Sequence, residues 1–524
     1  MKAKKFVALV LALCMACSMA ACGGNNISST SSGSSAAGGD SSVTEESSAA
    51  ETDDTAEGDG ELYRVRLSLP TMMTIPAESE IQKVEDAINA HIHDDLGITD
   101  LEMDLELLNL TDYTTNMNMA LAGGEKYDII YSGPLNTAVS NGYMADLTPY
   151  VDNELAGALS VLPENWIRSG TIGDKIYAVP CYKGQVLSWK YIYDEATYGN
   201  ATDWSKVNSL DTLAAVLPDL KAAAPNERPM VYNNQLVSLT MFEDHTSPVG
   251  TYTATVGDST ELVNYFATDS FKKGVEMAYE WSQAGYSDPE GSANTLTHDA
   301  VVMSGQSKGV IMGHAYSIET IENMFTSNNT YGGTFKAVEI ATSDMTTNTL
   351  TYGVAYTSEN VAASAEMMSL IWTDEFIASA LIYGLEGESY VWNEDKTSIE
   401  YPEGLDINTV PYTALYTCGA FGNQFILYPM DANTSEADKG FMEDLIKNAW
   451  YPPLFGFIPD STNVSTQVAA VSNIYDQYYD VLTYGDVDPA EYLPQFLTEL
   501  ETAGINDIIA EYQAQADAWL ETIE

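Results

Sequence analysis

Positive charge is what this 524-residue chain has least of: 21 lysines and arginines stand against 76 aspartates and glutamates, a formal net charge of −55. Only four residues are arginine, at 64, 66, 168 and 228. Such a surface repels nucleic acid and anionic lipid. A neutral or cationic ligand is expected over a polyphosphate unless a local basic pocket overrides the field, and acidity also serves solubility outside a cell. Cysteine is scarce too. Cys14, Cys17 and Cys22 cluster near the N-terminus, leaving Cys181 and Cys418 for the body. Two cysteines in so long a chain make no disulfide framework; two buried thiols, one thiol lining a pocket, or one bridge all fit.

Signatures of catalysis are missing as well. There is no Gly-x-Ser-x-Gly elbow, phosphate loop or His-Glu-x-x-His. His91 and His93, two apart on a predicted helix, face different ways. "DANTSEADKGFM" starts like a calcium loop at Asp431, but Glu436 replaces the sixth-position glycine and Met442 the bidentate glutamate at the twelfth. An EF-hand is therefore excluded, no cofactor or metal site is expected, and adventitious Ca2+ is the only cation the acidic surface suggests. With 76 carboxylates, choosing a glycosidase pair from sequence is empty, so no catalytic residue is assigned.

What is present begins with Lys2, Lys4 and Lys5 and an apolar run from Phe6 to about Ala21, the pattern of a secretory signal. The run is interrupted and shorter than the ~20 apolar residues a membrane-spanning helix needs. "MAACG", Met19 to Gly23, resembles the lipobox of bacterial lipoproteins, which implies residues 1–21 as signal peptide and a mature chain beginning at lipidated Cys22. Residues 23–60 are Ser, Gly, Ala, Asp and Glu with little that could be buried. Such a composition does not fold and reads as a flexible tether holding a soluble body off a membrane.

The body alternates strand and helix patterns. "YRVRLSLP" sets Tyr63, Val65, Leu67 and Leu69 on one face, ended by Pro70; Ile81, Val84, Ile88 and Ile92 follow at helical spacing; "LEMDLELL" repeats the strand alternation. In "MALAGGEKYDIIYSGP" a helix from about Asp112 ends at Gly123-Gly124, one of which supplies a left-handed cap, and a buried strand, Tyr127 to Tyr131, stops at Ser132-Gly133-Pro134. This predicts an α/β sheet with crossover helices, in which ligands bind outside the carboxyl ends of the strands. Ser132 and Gly133 are thereby candidate ligand contacts. Trp281 and Trp519 fall on helical apolar stripes and are expected in cores.

Several segments, in order, resemble extracellular solute-binding proteins of the family 1 type that serve ABC importers: "EIQKVEDAINAHIHDDLGI", "YTTNMNMALAGGEKYDIIYSG", "NGYMADLTPYV", "GDKIYAVP" and "LIYGLEGESYVWNEDKTSIEYPEG". From about Tyr451 the chain resembles the C-terminal domain labelled DUF3502. The resemblance implies a two-lobed, periplasmic-binding-protein-like fold (type II-like), with hinge strands and additional C-terminal helices. Residues 61–181 with about 355–395 would form lobe one, 182–354 with about 396–450 lobe two, and 451–524 the DUF3502-like region. It further implies a non-enzymatic, lipid-anchored monomer on the outer face of a Gram-positive cell membrane, with a carbohydrate, in particular an oligosaccharide, as ligand and ABC permease subunits as partners. A peptide or other small solute is the alternative, followed by a surface adhesin or a lipid-anchored glycosidase. The 33 tyrosines and 8 tryptophans favour stacking over anion clamping. Candidate ligand contacts at strand ends and crossings are Tyr182 and Trp189, His314 and Tyr316 in the loop where the family commonly carries a stacking aromatic, Tyr352, Tyr390, Trp392 and Asn423.

Overall fold

The structure, a computed structural model, describes residues 62–71, 73–288, 291–293, 296–342, 350–414, 421–430 and 435–523. The expectations for the signal, Cys22, the tether and Cys418 fall outside these residues, as do residues 431–434 of the calcium-like stretch.

Alternation of apolar side chains makes β1 (Tyr63–Thr71) and, after α1 (Glu78–Ala90), β2 (Leu101–Asn109), paired parallel from Tyr63 opposite Leu101 to Thr71 opposite Asn109. The strand does not end at Pro70. Backbone nitrogens of even-numbered residues in β1 face away from β2, as Arg66 N–H donating to Asp128 Oδ2 at 2.9 Å marks. On that side β3 (Ile129–Tyr131) pairs only with Leu67 and Ser68, so no partner asks for the N–H that proline lacks. β2 is an edge strand whose outward amides are covered: Asn89 Oδ1 accepts from Met103 N–H at 2.7 Å and Glu85 Oε2 from Leu105 N–H at 3.0 Å. α2 (Leu110–Ala122) is capped at its start by Asn109, and the left-handed residue after it is Gly124. After β4 (Ala178–Pro180) the chain leaves this sheet.

Lobe two is built on a second sheet in which β5 (Ser188–Asp194) is central, antiparallel to both β6 (Gly309–His314) and β7 (Phe335–Thr342). One face carries Trp189, Tyr191 and Tyr193 into a core shared with α3 (Leu210–Ala223), α4 (Gln235–Glu243) and α5 (Asp269–Gln283). The other packs Ile192, Val310 and Met312 against α6 (Ile318–Asn328). β8 (Thr351–Val354) then returns to the first sheet, giving the order β2-β1-β3-β8-β4 with β8 antiparallel to both neighbours. α7 (Val361–Thr373) and α8 (Glu375–Tyr383) supply Ile371, Trp372, Ile377 and Leu381 to the lobe one core.

Two expectations on the later chain need correction or completion. Ile399, Leu427 and Met430 pack with Ala378 and Ile382 of α8, so the described part of 396–430 rests on lobe one rather than lobe two; the apolar outer side of α8 is what it covers. After α9 (Glu436–Asn448), the helices α10 (Ser465–Thr483), α11 (Pro489–Ala503) and α12 (Ile505–Ile523) bury Val471, Phe496, Ile508 and Trp519 in the core of lobe two. Trp281 joins the same core, as its helical spacing predicts. Among the described residues no helix is long and apolar enough to cross a membrane.

Candidate functional site between the lobes

The first crossing runs from Pro180 to Ser188, and residues 421–427 accompany it. Tyr182 N–H donates to Gly422 O at 2.9 Å, Gln424 N–H to Tyr182 O at 2.8 Å, and Gly184 N–H to Gln424 Oε1 at 3.1 Å. The second crossing lies against the first through Cys181 N–H, which donates to Leu350 O at 2.8 Å. Ser132 sits at the carboxyl end of β3 beside this crossing: its Oγ lies 2.5 Å from Thr351 Oγ1 and its N–H donates to Thr351 O at 3.0 Å. Gly133 takes a φ of +61°, the left-handed geometry glycine adopts freely.

Aromatic rings gather at the same place. Tyr182 stands edge-on to Trp166 at 5.5 Å and tilted against Phe425 at 4.4 Å. Burial, with the nearby Glu443 carboxylate, pushes its hydroxyl up to about 12, so it is a neutral hydroxyl at any physiological pH. From lobe two, the loop after β6 reaches the first crossing: a methyl built on Gly184 would lie 3.2 Å from Ala315 Cβ. His314 and Tyr316 flank that contact, with ring centroids 6.3 Å apart and nearly parallel. His314 is buried and its Nε2 has no protein partner; burial and the neighbouring Lys190 drive its pKa down to about 3, keeping the ring neutral. Lys190 is itself wholly buried, donating to Ser188 O at 3.2 Å, and burial lowers it to about 8 against the opposing pull of Glu339 and Asp438.

The structure thus brings Ser132, Gly133, Tyr182, His314 and Tyr316 to the junction of the lobes, with Asn423 beside Tyr182 along the first crossing, and sets Trp189, Tyr352, Tyr390 and Trp392 elsewhere. Trp189 is 2% exposed and faces the lobe two core against Phe242, its odd position in β5 putting it on the apolar side of that sheet. Tyr352 is 1% exposed, sandwiched in the lobe one core between Tyr131 and Phe421. Tyr390 and Trp392 pack around Tyr428 in the cluster over α8. Asn423 caps the turn at 424–426 through Oδ1 and donates to Trp372 O at 3.1 Å, a structural use of both ends of its amide. Sequence reasoning missed Trp166, Phe425, Lys190 and α9. The one available signal was Ser435-x-x-Asp438, a helix-start pattern in the stretch that resembles a calcium loop; Ser435 Oγ does accept from Asp438 N–H at 3.2 Å. Among the described residues no group of three or more His, Cys, Asp or Glu could hold a metal ion.

A junction of aromatic faces, hydroxyls and neutral imidazole between two α/β lobes defines the class: this is the two-domain solute-binding-protein fold. Residues 453–521 match the family described as a domain of unknown function (DUF3502). Over 431 residues the chain is 25% identical to a carbohydrate ABC transporter substrate-binding protein of Streptococcus pneumoniae serotype 4, covering 80% of this chain and 84% of that relative. Among solved structures it is similar to the N-glycan transport solute binding protein of Streptococcus pneumoniae, at 22% identity and a TM-score of 0.70 over 88% of this chain and all of that one. It is also similar to an HMO binding, ABC-transporter-associated solute binding protein of Bifidobacterium longum infantis, at 14% identity and a TM-score of 0.58 over 88% of this chain and all of the other. The expected resemblance to family 1 solute-binding proteins, with a DUF3502 region at the C-terminus, is met.

Proposed function

We propose that this chain is the solute-binding component of an ABC importer and captures an oligosaccharide between its lobes. The observation that carries the reading is a sequence relationship spanning four-fifths of the chain to a carbohydrate ABC transporter substrate-binding protein, on a fold whose two lobes are joined at crossings where the rings of Tyr182, Trp166 and Phe425 gather. The chemistry agrees. Tyr182 and Tyr316 offer faces for pyranose C–H groups, while Ser132 and the unpartnered His314 Nε2 offer hydrogen bonds to hydroxyls. Binding works by shifting the lobes toward a closed arrangement for which the ligand has higher affinity. The protein acts as a monomer without catalysis or cofactor, outside the cytoplasm, held to the membrane by lipid on Cys22, and hands its ligand to permease subunits.

A thermal-shift screen of the full chain against mannose-containing and milk-type oligosaccharides, short peptides and amino acids, with ligand recovery by mass spectrometry, tests this. Ligand at a hundred times its Kd adds about 2.7 kcal/mol to apparent stability. A shift with oligosaccharides recovered uncut is expected. A shift only with peptides, or cleavage of the glycan, overturns the reading.

A further inference from the structure

α9 lies across the junction, and two neighbouring residues in its first turn grip opposite lobes. Asp438 is bound to lobe two: its Oδ1 accepts from Ser317 N–H at 3.1 Å and its Oδ2 from Thr320 Oγ1 at 2.6 Å, both at the start of α6. Lys439 is bound to lobe one: its Nζ donates at 2.7 Å to the carbonyl of Leu427, which packs on α8, and at 2.9 Å to Glu436 on its own helix. Both side chains are buried, so these charge-assisted bonds are strong and costly to leave unmade.

The rest of the helix continues the pattern. Met442 fills the space beside Gly184 of the first crossing, where an added methyl would stand 2.4 Å from its sulfur. Ile446 packs with Trp166 and Phe455, and Trp166 Nε1 donates to Tyr451 OH at 3.2 Å. Six residues on, Phe457 enters the core of lobe two beside Trp519. Gly456 makes this interleaving possible: its φ is +96° and a methyl there would stand 2.6 Å from Arg168 Cβ.

We infer that α9 is the fulcrum of the molecule, a splint fixed to both lobes at adjacent residues, so that the lobes turn about the Asp438–Lys439 pair and keep both bonds as they open and close. A short, doubly anchored element restricts the arrangements the unliganded lobes can visit. The fraction already near the binding arrangement, and with it the apparent affinity, depends on that restriction. The inference needs two mobile lobes but no particular ligand, so it stands or falls separately from the carbohydrate reading.

Small-angle X-ray scattering from the full chain without ligand tests it, comparing wild type with Lys439→Met, Asp438→Ala, the rescue variant Lys439→Arg and the control Lys83→Met. Lys83 bonds Glu80 and Glu388, both within lobe one. Far-UV circular dichroism confirms that each variant is folded at the temperature used. The expected result is a larger radius of gyration and a longer maximum dimension for Lys439→Met and Asp438→Ala, with Lys439→Arg and Lys83→Met matching wild type. Folded Lys439→Met and Asp438→Ala proteins whose profiles superimpose on wild type, or are more compact, overturn the inference. If Asp438→Ala does not fold, the Lys439→Met and Lys439→Arg pair decides alone.

Discussion

The packing of Gly184 against Met442 supports a double-mutant cycle whose outcome can be worked from distances. A methyl on Gly184 would lie 2.4 Å from Met442 Sδ, 2.8 Å from its Cγ and 3.2 Å from Ala315 Cβ. The first two contacts are impossible without movement, and a buried methionine must retreat into a packed surround. Gly184→Ala should therefore cost about 1–3 kcal/mol, the range for overpacking. Met442 is 1% exposed, and Met442→Ala should cost about 2–5 kcal/mol through lost burial and the space left behind. In the double variant the new methyl occupies part of that space and the clash is gone. The two losses should then fall short of additive by an amount within the 0.5–3 kcal/mol that contacting residues commonly show, roughly 1–2 kcal/mol here. Urea denaturation of the four proteins followed by circular dichroism measures this. Strict additivity, or a double variant less stable than the sum, would refute the contact between α9 and the first crossing on which this account of the junction depends.

Other consequences are as specific. Gly353 lies in β8 where a methyl would meet Tyr177 O at 2.2 Å and Met144 Cε at 2.5 Å; because the oxygen is backbone, Gly353→Ala should cost at least about 1–3 kcal/mol, and stability within about 0.5 kcal/mol of wild type, the usual surface-substitution range, would contradict the register of the first sheet. His91 is partly desolvated, which lowers its pKa, but its hydrogen bonds to Asp374 at 3.1 Å and Asp95 at 2.8 Å outweigh this and leave it raised. The stabilisation it provides is complete below the ordinary value of about 6.5 and disappears as pH rises through the raised one, so the stability difference between wild type and His91→Gln should shrink from pH 6 toward pH 8; a difference that grows over that window would contradict the pairing. For a bound oligosaccharide, Tyr316→Ala should weaken affinity by about 1 kcal/mol, roughly fivefold in Kd, whereas Trp189→Phe should leave Kd unchanged because that ring faces a core; calorimetric titration separates the two, and the reverse ranking would relocate the site.

Much of the fold was legible because its elements repeat with simple periods. The alternation in Tyr63–Leu69 and Leu101–Leu107 and the helical spacing of Ile81 to Ile92 survive in the structure with Val65, Leu67, Val84 and Ile88 buried at 1% or less. The limits are equally physical. Pro70 reads as a strand end because proline lacks a donor, yet the strand passes through it where no partner stands on the donor side. Trp189 and Tyr352 are conspicuous at crossings, but strand parity decides which face a side chain takes, and a shift of one residue exchanges cleft for core. α9 was invisible in its role because the partners of Asp438 and Lys439 lie 118 and 12 residues away, at Thr320 and Leu427, and no local pattern encodes such a pairing.

The most direct test of the central claim couples binding to lobe closure in one titration. Small-angle scattering from the full chain should be followed while an oligosaccharide that raises its melting temperature is added. The account predicts a radius of gyration that falls in proportion to occupancy and returns when the sugar is removed intact. Saturating binding with an unchanged scattering profile would contradict it.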